Sequence, residues 1–171
     1  MWKLFIKALL ILTFCSFLTT IKAGEIPYVR PQNNVQLNLF GDAAIFSISY
    51  ERLFVSQQKF FLATKFGLGY SQSLGLPVDG TSLFAAPMHV TGNYGGKSHY
   101  FEFGFGATLM FYKDFIFWDY AIYPIVGYRF QPKKTGNFSF RIFAAYPLTD
   151  QLDSYNYWFS PVGLSLGFCF K

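Results

Sequence analysis

Cysteine is nearly absent from this chain, and so is charge. There are two cysteines in 171 residues. Cys15 falls in an N-terminal stretch with the marks of a removable export signal, which leaves Cys169 alone. An exported domain with a single cysteine has no internal disulfide framework, so backbone pairing and packing must hold it. Charged residues make up 13% of the chain, where an average globular protein carries roughly 25%. After the N-terminal stretch no run approaches the roughly 20 continuous apolar residues of a membrane helix, which excludes a helical membrane bundle. No segment carries a 3.6-residue apolar period, which removes the amphipathic helix. The basic stripe of a nucleic-acid binder is missing as well, so no nucleic-acid partner is expected. What is abundant is aromatic: Phe, Trp and Tyr supply 22% of the residues.

Residues 1–23 read as a signal peptide. Lys3 and Lys7 give a positive start, Ala8–Leu18 a short apolar core, and Ile21-Lys22-Ala23 a small residue at the cut. The core is too short for a retained anchor to span a bilayer comfortably. Leu12-Thr13-Phe14-Cys15 ends in cysteine like a lipoprotein signal, but bulky Phe14 argues against lipidation. Cleavage removes Lys3, Lys7 and Lys22, so 14 basic residues become 11 against the same 9 acidic ones. The exported chain is then only about +2, and much of the basic balance belongs to the export segment. Taking 23 residues from 171 leaves 148, the size of one domain. Within it, 24–33 is a polar lead-in with Pro27 and Pro31, and 34–171 is the folded domain.

That domain parses into short alternating strands. In Lys59–Ser71 one face carries Phe60, Leu62, Thr64, Phe66, Leu68 and Tyr70, and the other Phe61, Ala63, Lys65, Gly67, Gly69 and Ser71. In Tyr100–Phe111, Phe101, Phe103, Phe105 and Leu109 oppose Glu102, Gly104, Gly106 and Thr108. Strand side chains alternate at a period of 2, so each segment has a bulky apolar face and a small or charged one. A soluble sandwich turns its bulky face inward. A barrel in lipid inverts this. Strands are expected at Val35–Phe40, Ala44–Arg52, Phe60–Ser71, Leu83–Thr91, Tyr100–Phe111, Tyr120–Phe130, Phe138–Leu148 and Val162–Phe170. An even number of strands returns both termini to one end, as in outer-membrane barrels. The count depends on Gly41-Asp42 being a hairpin turn. If Gly41 is only a bulge, Val35–Arg52 is one strand. Pro87 weakens its strand by removing a ladder donor. The links Gly92–His99 and Gln131–Asn137 are short, while Gln72–Ser82, Tyr112–Asp119 and Thr149–Pro161 are longer, matching the two ends of such barrels.

The strand charges keep to the small-residue face. Lys65, Glu102, Arg129 and Arg141 all fall there, and a cation facing lipid at mid-depth would cost about 2–4 kcal/mol. They are expected as a structural charge network in the lumen, with Glu102 neutralising Arg129, Arg141 or Lys65. An eight-strand barrel is just wide enough to be filled by side chains or to hold one small ligand, which disfavours a general pore. Trp118, Tyr120, Tyr123, Tyr155, Tyr157 and Trp158 near one rim, and Tyr128, Phe130 and Phe170 near the other, read as interfacial belts. Aromatic packing or a carbohydrate-binding loop is the competing reading.

Catalytic motifs are thin. Ser98, His99 and Glu102 are close in sequence and suggest an esterase or a lipid deacylase, but no nucleophile elbow surrounds Ser98, and His99 sits at a turn. His89 has no second histidine or cysteine at ligand spacing, so no metal site is expected. Gly67-x-Gly69 and Gly104-x-Gly106 lack the helix a phosphate loop needs. No catalytic residue and no cofactor is therefore expected.

Four segments carry a resemblance: Ser47-Ile48-Ser49-Tyr50-Glu51-Arg52, Gly127-Tyr128-Arg129-Phe130-Gln131-Pro132, Phe140-Arg141, and the closing Pro161-Val162-Gly163-Leu164-Ser165-Leu166-Gly167-Phe168-Cys169-Phe170. Through these the chain resembles the small outer-membrane β-barrel proteins of Gram-negative bacteria. The resemblance implies an all-β, antiparallel, up-and-down transmembrane barrel in the cell outer membrane, surrounded by its lipid. It also implies assembly by the barrel-insertion machinery, which reads a C-terminal aromatic. Phe170 matches, although Lys171 follows it, and Ser49 stands where similar proteins often have asparagine. The function expected is non-enzymatic: structural, surface-interaction or small-ligand binding. An exported lipocalin-like barrel with an apolar ligand inside is the alternative, and a membrane-lipid-modifying enzyme the third.

Overall fold

A computed structural model describes residues 31–42, 45–57, 59–72, 82–112, 118–132, 138–148 and 160–171. Residues 1–23, expected as a signal peptide, most of the expected lead-in 24–33, and Tyr155, Tyr157 and Trp158 lie outside these residues. The strands run β1 (Asn33–Phe40), β2 (Phe46–Ser56), β3 (Phe60–Gln72), β4 (Ser82–Gly96), β5 (His99–Tyr112), β6 (Trp118–Phe130), β7 (Phe138–Ala145) and β8 (Val162–Phe170). Each pairs antiparallel with the next, and β1 pairs with β8 from Asn33↔Phe170 to Phe40↔Gly163, so the sheet closes into an eight-stranded barrel. Among the described residues every strand pairs with a neighbour on each side. The strand ends near Asn33 and Phe170 form one rim, called here the terminal rim, and the β1–β2 turn belongs to the opposite, far rim.

The first hairpin exists, and its turn shows why. Phe40 and Gly41 have φ of 60° and 71°, and the Phe40 amide donates to the Ile45 carbonyl at 3.1 Å. An added Cβ at Gly41 would stand 2.5 Å from the Cα of Gly163. Glycine is thus required twice, by conformation and by space. Val35–Arg52 is therefore two strands.

Elsewhere most strands are longer than the sequence pattern suggests. β4 continues through Gly92 to Gly96, leaving only Lys97 and Ser98 to turn into β5. Gly92 and Gly95 read as loop, but Gly92 pairs with Leu62 and Phe103, and Gly95 pairs with Tyr100 while its amide donates to the Lys59 carbonyl. β7 stops at Ala145, short of the expected Leu148. Pro87 has the local effect expected of it. β3–β4 pairing is interrupted between Phe66↔Met88 and Gly69↔Ala85, while β4–β5 pairing runs through Pro87↔Thr108. The ring is accommodated by Gly67, where a Cβ would meet Pro87 at 3.2 Å.

Side-chain direction follows the alternation throughout. Phe66, Leu68, Phe101, Phe103, Phe105, Val126, Ile142 and Leu166 are exposed on the outer surface, with Leu68 at 67% and Phe105 at 63%. Lys65, Glu102, Arg129 and Arg141 are buried on the inner one. One aromatic assignment changes: Tyr123 is 0% exposed and points into the lumen rather than to a rim belt. Its parity with Arg129 decides this, because residues six apart on a strand share a face.

The lumen is layered. Toward the terminal rim Leu53, Phe61, Ala63 and Tyr100 form one buried apolar cluster, with Phe61 and Tyr100 edge to face at 4.9 Å. Toward the far rim Met110, Ala121, Tyr123, Ile125, Phe143 and Ala145 form a second. Polar and charged side chains fill the level between them.

Candidate functional site

The middle of the lumen is built by strand parity acting from all eight strands at once, β8 contributing Ser165. β1 supplies Asn34, Gln36 and Asn38, and β2 supplies Ser47, Ser49 and Glu51. Lys65, His89, Glu102, Arg129 and Arg141 come from β3, β4, β5, β6 and β7 in turn, all buried. Short polar side chains on β1 and β2 leave room for the two arginines. Gly167 on β8 does the same, since a Cβ there would lie 2.4 Å from Asn34 Oδ1.

The charges form one continuous chain. Glu51 accepts two hydrogen bonds from Arg129, Nη1 to Oε1 at 2.9 Å and a shorter one from Nη2 to Oε2. Gln36 Nε2 also donates to Glu51 Oε1 at 3.1 Å. This fork-on-carboxylate geometry is the strongest pairing available to arginine. Arg129 Nη2 stands 3.5 Å from Glu102 Oε1, and Glu102 Oε2 accepts from Arg141 Nε at 2.7 Å. Arg141 Nη2 reaches His89 Nδ1 at 3.4 Å, and His89 Nε2 faces Asp42 Oδ1 at 2.8 Å. Lys65 Nζ closes the chain by donating to Asp42 Oδ2 at 2.6 Å. A donor beside Nδ1 and a carboxylate beside Nε2 suit a neutral imidazole carrying its proton on Nε2. Asp42, Glu51 and Glu102 then balance Lys65, Arg129 and Arg141.

The cations are also placed over aromatic faces, which restores part of the solvation lost on burial. Arg129 lies 5.6 Å from the Phe61 centroid and Arg141 4.6 Å from that of Phe143. Glu102 thus meets Arg141 directly and Arg129 at longer range, whereas Lys65 pairs with Asp42 and not with Glu102.

Three participants lie beyond Lys65, Glu102, Arg129 and Arg141. Glu51 has the right signal, since it alternates with Ser47 and Ser49, but its bidentate partner on β6 is 78 residues away. His89 is a network member bridging Arg141 and Asp42. Asp42 has no periodic signal because it lies in the β1–β2 turn. That turn folds inward, so that Asp42 is 0% exposed and its backbone carbonyl accepts from Thr108 Oγ1 at 3.0 Å. Thr108 Oγ1 in turn lies 2.7 Å from the Tyr123 hydroxyl.

Burial pushes the Asp42 carboxyl upward, but Lys65 and His89 beside it outweigh this and hold it well below the usual carboxylate range. A carboxylate depressed by folding adds stability above its ordinary value, near pH 4, and loses it as pH falls through the depressed value. Wild-type protein should therefore lose more stability between about pH 5 and pH 2 than Asp42→Asn, measured as urea midpoints. Identical acid limbs would show that Asp42 carries no such linkage.

The structure does not assemble the proposed Ser98, His99 and Glu102 constellation. His99 is exposed on the outer surface with Nδ1 2.6 Å from the Tyr128 hydroxyl, while Glu102 is held in the lumen by Arg141. Among the described residues no group of three His, Cys, Asp or Glu side chains is placed to hold a metal ion.

Fold and lumen together define a closed antiparallel β-barrel with a charged, paired interior and an apolar exterior. No protein-family model, no curated protein and no solved structure matches the chain.

Proposed function

We propose that this chain is an exported outer-membrane β-barrel whose role is non-enzymatic: structural, surface-interacting or small-ligand binding. The observation that carries the reading is the inversion of its two faces. The inner face buries Lys65, Glu51, Glu102, Arg129 and Arg141, while the outer face exposes aromatic and branched aliphatic side chains on all eight strands. Soluble monomers rarely expose contiguous apolar patches beyond a few hundred Å². A surrounding hydrocarbon layer supplies the burial that water cannot.

The paired charges bear on the role. A barrel that carries an apolar ligand needs an apolar pocket in its lumen. Here an ion network fills the middle and apolar clusters occupy the levels above and below it. That arrangement favours a mechanical or surface role, with any ligand or partner met outside the lumen.

The test is fractionation of a Gram-negative expression host, followed by gels of boiled and unboiled membrane protein. The expected result is recovery in the outer membrane with a mobility shift on boiling. Recovery as a monodisperse periplasmic protein with no shift would sink the membrane reading and leave the soluble lipocalin-like barrel. Lipid turnover that is abolished by Ser98→Ala and His99→Ala would instead point to an enzyme.

A further inference from the structure

The exposed charges are one-sided. Among the described residues the exposed charged side chains are Arg52, Lys59, Lys97 and Lys171, and all four are cations. Register places them together. Arg52 pairs with Asn33, the first residue of β1, and Lys171 follows Phe170, which pairs with Asn33 from the other side. The Lys59 carbonyl accepts from the Gly95 amide at 2.8 Å, beside the β4–β5 turn that carries Lys97. All four therefore belong to the terminal rim. Among the residues whose burial is described, no exposed Asp or Glu offsets them. The lumen does not cancel them either, because its acids and bases are matched internally.

What lies next to these cations narrows the partner. One step toward the middle of the barrel, the outer surface presents aromatic rings with polar edges. The Tyr50 hydroxyl donates to Asn33 Oδ1 at 2.6 Å, and His99 Nδ1 lies 2.6 Å from the Tyr128 hydroxyl. Tyr94 is exposed on the same rim. Farther in come Ile48, Phe66, Phe103 and Phe105, with no charge among them. Cation, amphipathic ring and then hydrocarbon is the order in which a phospholipid leaflet presents phosphate, glycerol-level interface and chains. A folded protein partner or a nucleic acid would match the cations alone and not the graded surface beneath them.

We propose that the terminal rim binds anionic phospholipid headgroups, with Arg52, Lys59, Lys97 and Lys171 meeting phosphate oxygens in the leaflet that surrounds it. This rests on the membrane-barrel reading. It adds that the barrel selects the composition of its lipid shell.

Spin-labelled lipids test it directly. Full-length mature protein is reconstituted in mixed vesicles of phosphatidylcholine and phosphatidylglycerol, and the motionally restricted fraction of each labelled lipid is measured by electron paramagnetic resonance. At low salt labelled phosphatidylglycerol should be enriched about threefold over phosphatidylcholine in that fraction, since each cation near the surface attracts anionic lipid. High salt should return the ratio to about one, because these charges are solvent-exposed. The variant combining Arg52→Gln, Lys59→Gln, Lys97→Gln and Lys171→Gln should give about one at low salt as well. A wild-type ratio of one, a ratio indifferent to salt, or selectivity retained in the variant would each overturn the proposal while the membrane reading stood. Absence of any restricted lipid component would overturn both. The salt series uses wild-type protein, so the result does not depend on the variant folding.

Discussion

Replacing Arg129 by methionine is expected to destabilise the barrel by about 3–5 kcal/mol, because removing one partner leaves buried charge without compensation. The mutation removes the fork that grips Glu51 and also the cation standing 3.5 Å from Glu102. Two carboxylates would remain at the centre of the lumen, one with Asn34 and Gln36 and the other with Arg141. The double variant Arg129→Met with Glu51→Gln should recover most of the loss, because matched removal of a buried pair is often near neutral. Urea unfolding of the reconstituted protein, read by boiling-resistant gel mobility, gives all the required midpoints. If the single and double variants were equally unstable, lost packing over Phe61 would explain the effect better than unpaired charge, since Arg129 also stacks there at 5.6 Å.

The second large effect is expected on the outer face. Phe105 lies near the middle of β5, is 63% exposed and pairs in register with Val90 and Pro124. In a lipid-embedded barrel Phe105→Arg should cost about 2–4 kcal/mol, the value for a cation at the bilayer midplane. In a soluble barrel the same exposed site faces water, and the change should stay within about 0.5 kcal/mol. Phe105→Gln serves as the control for lost aromatic contacts. The decisive quantity is therefore the arginine-minus-glutamine difference in unfolding free energy. A difference near zero would remove hydrocarbon from around β5 and leave the soluble reading.

These two substitutions differ in how readily the sequence points to them. The period-2 pattern assigns Phe105 and Arg129 to opposite faces with no knowledge of their neighbours, because parity is a property of a single strand. It assigns Lys65, Glu102 and Arg141 to the inner face on the same ground. Pairing is another matter. Which carboxylate meets which cation depends on stagger between strands, on side-chain reach and on which lumen positions are left small. None of these is a local property. Glu102 meets Arg141 across the lumen even though β5 and β7 are not neighbours in the sheet.

Asp42 marks the limit most clearly. As a sequence it belongs to a Gly-Asp turn, whose residues ordinarily face solvent. In the fold Gly41 takes a positive φ against Gly163, and the turn tips inward. Asp42 then reaches Lys65 and His89, and Thr108 bonds to its carbonyl. An isolated lysine in the lumen would be costly, and Asp42 compensates it from a loop that carries no periodic signal. Tyr123 gives a milder version. Its aromatic character points to a membrane interface, but parity turns it inward, where its hydroxyl lies against Thr108 and His89.

By itself the sequence determines the all-β architecture, the strand faces and the burial of the charged set, since each follows from a backbone period of two residues. Closure of the barrel, the inward turn at Gly41-Asp42, the continuous chain from Lys65 to Glu51 and the gathering of Arg52, Lys59, Lys97 and Lys171 on one rim were decided by tertiary structure alone. The reason is physical: register and shear set distances between charged partners up to 78 positions apart, and a charge buried at such a meeting point is stable only with the partner that the register delivers.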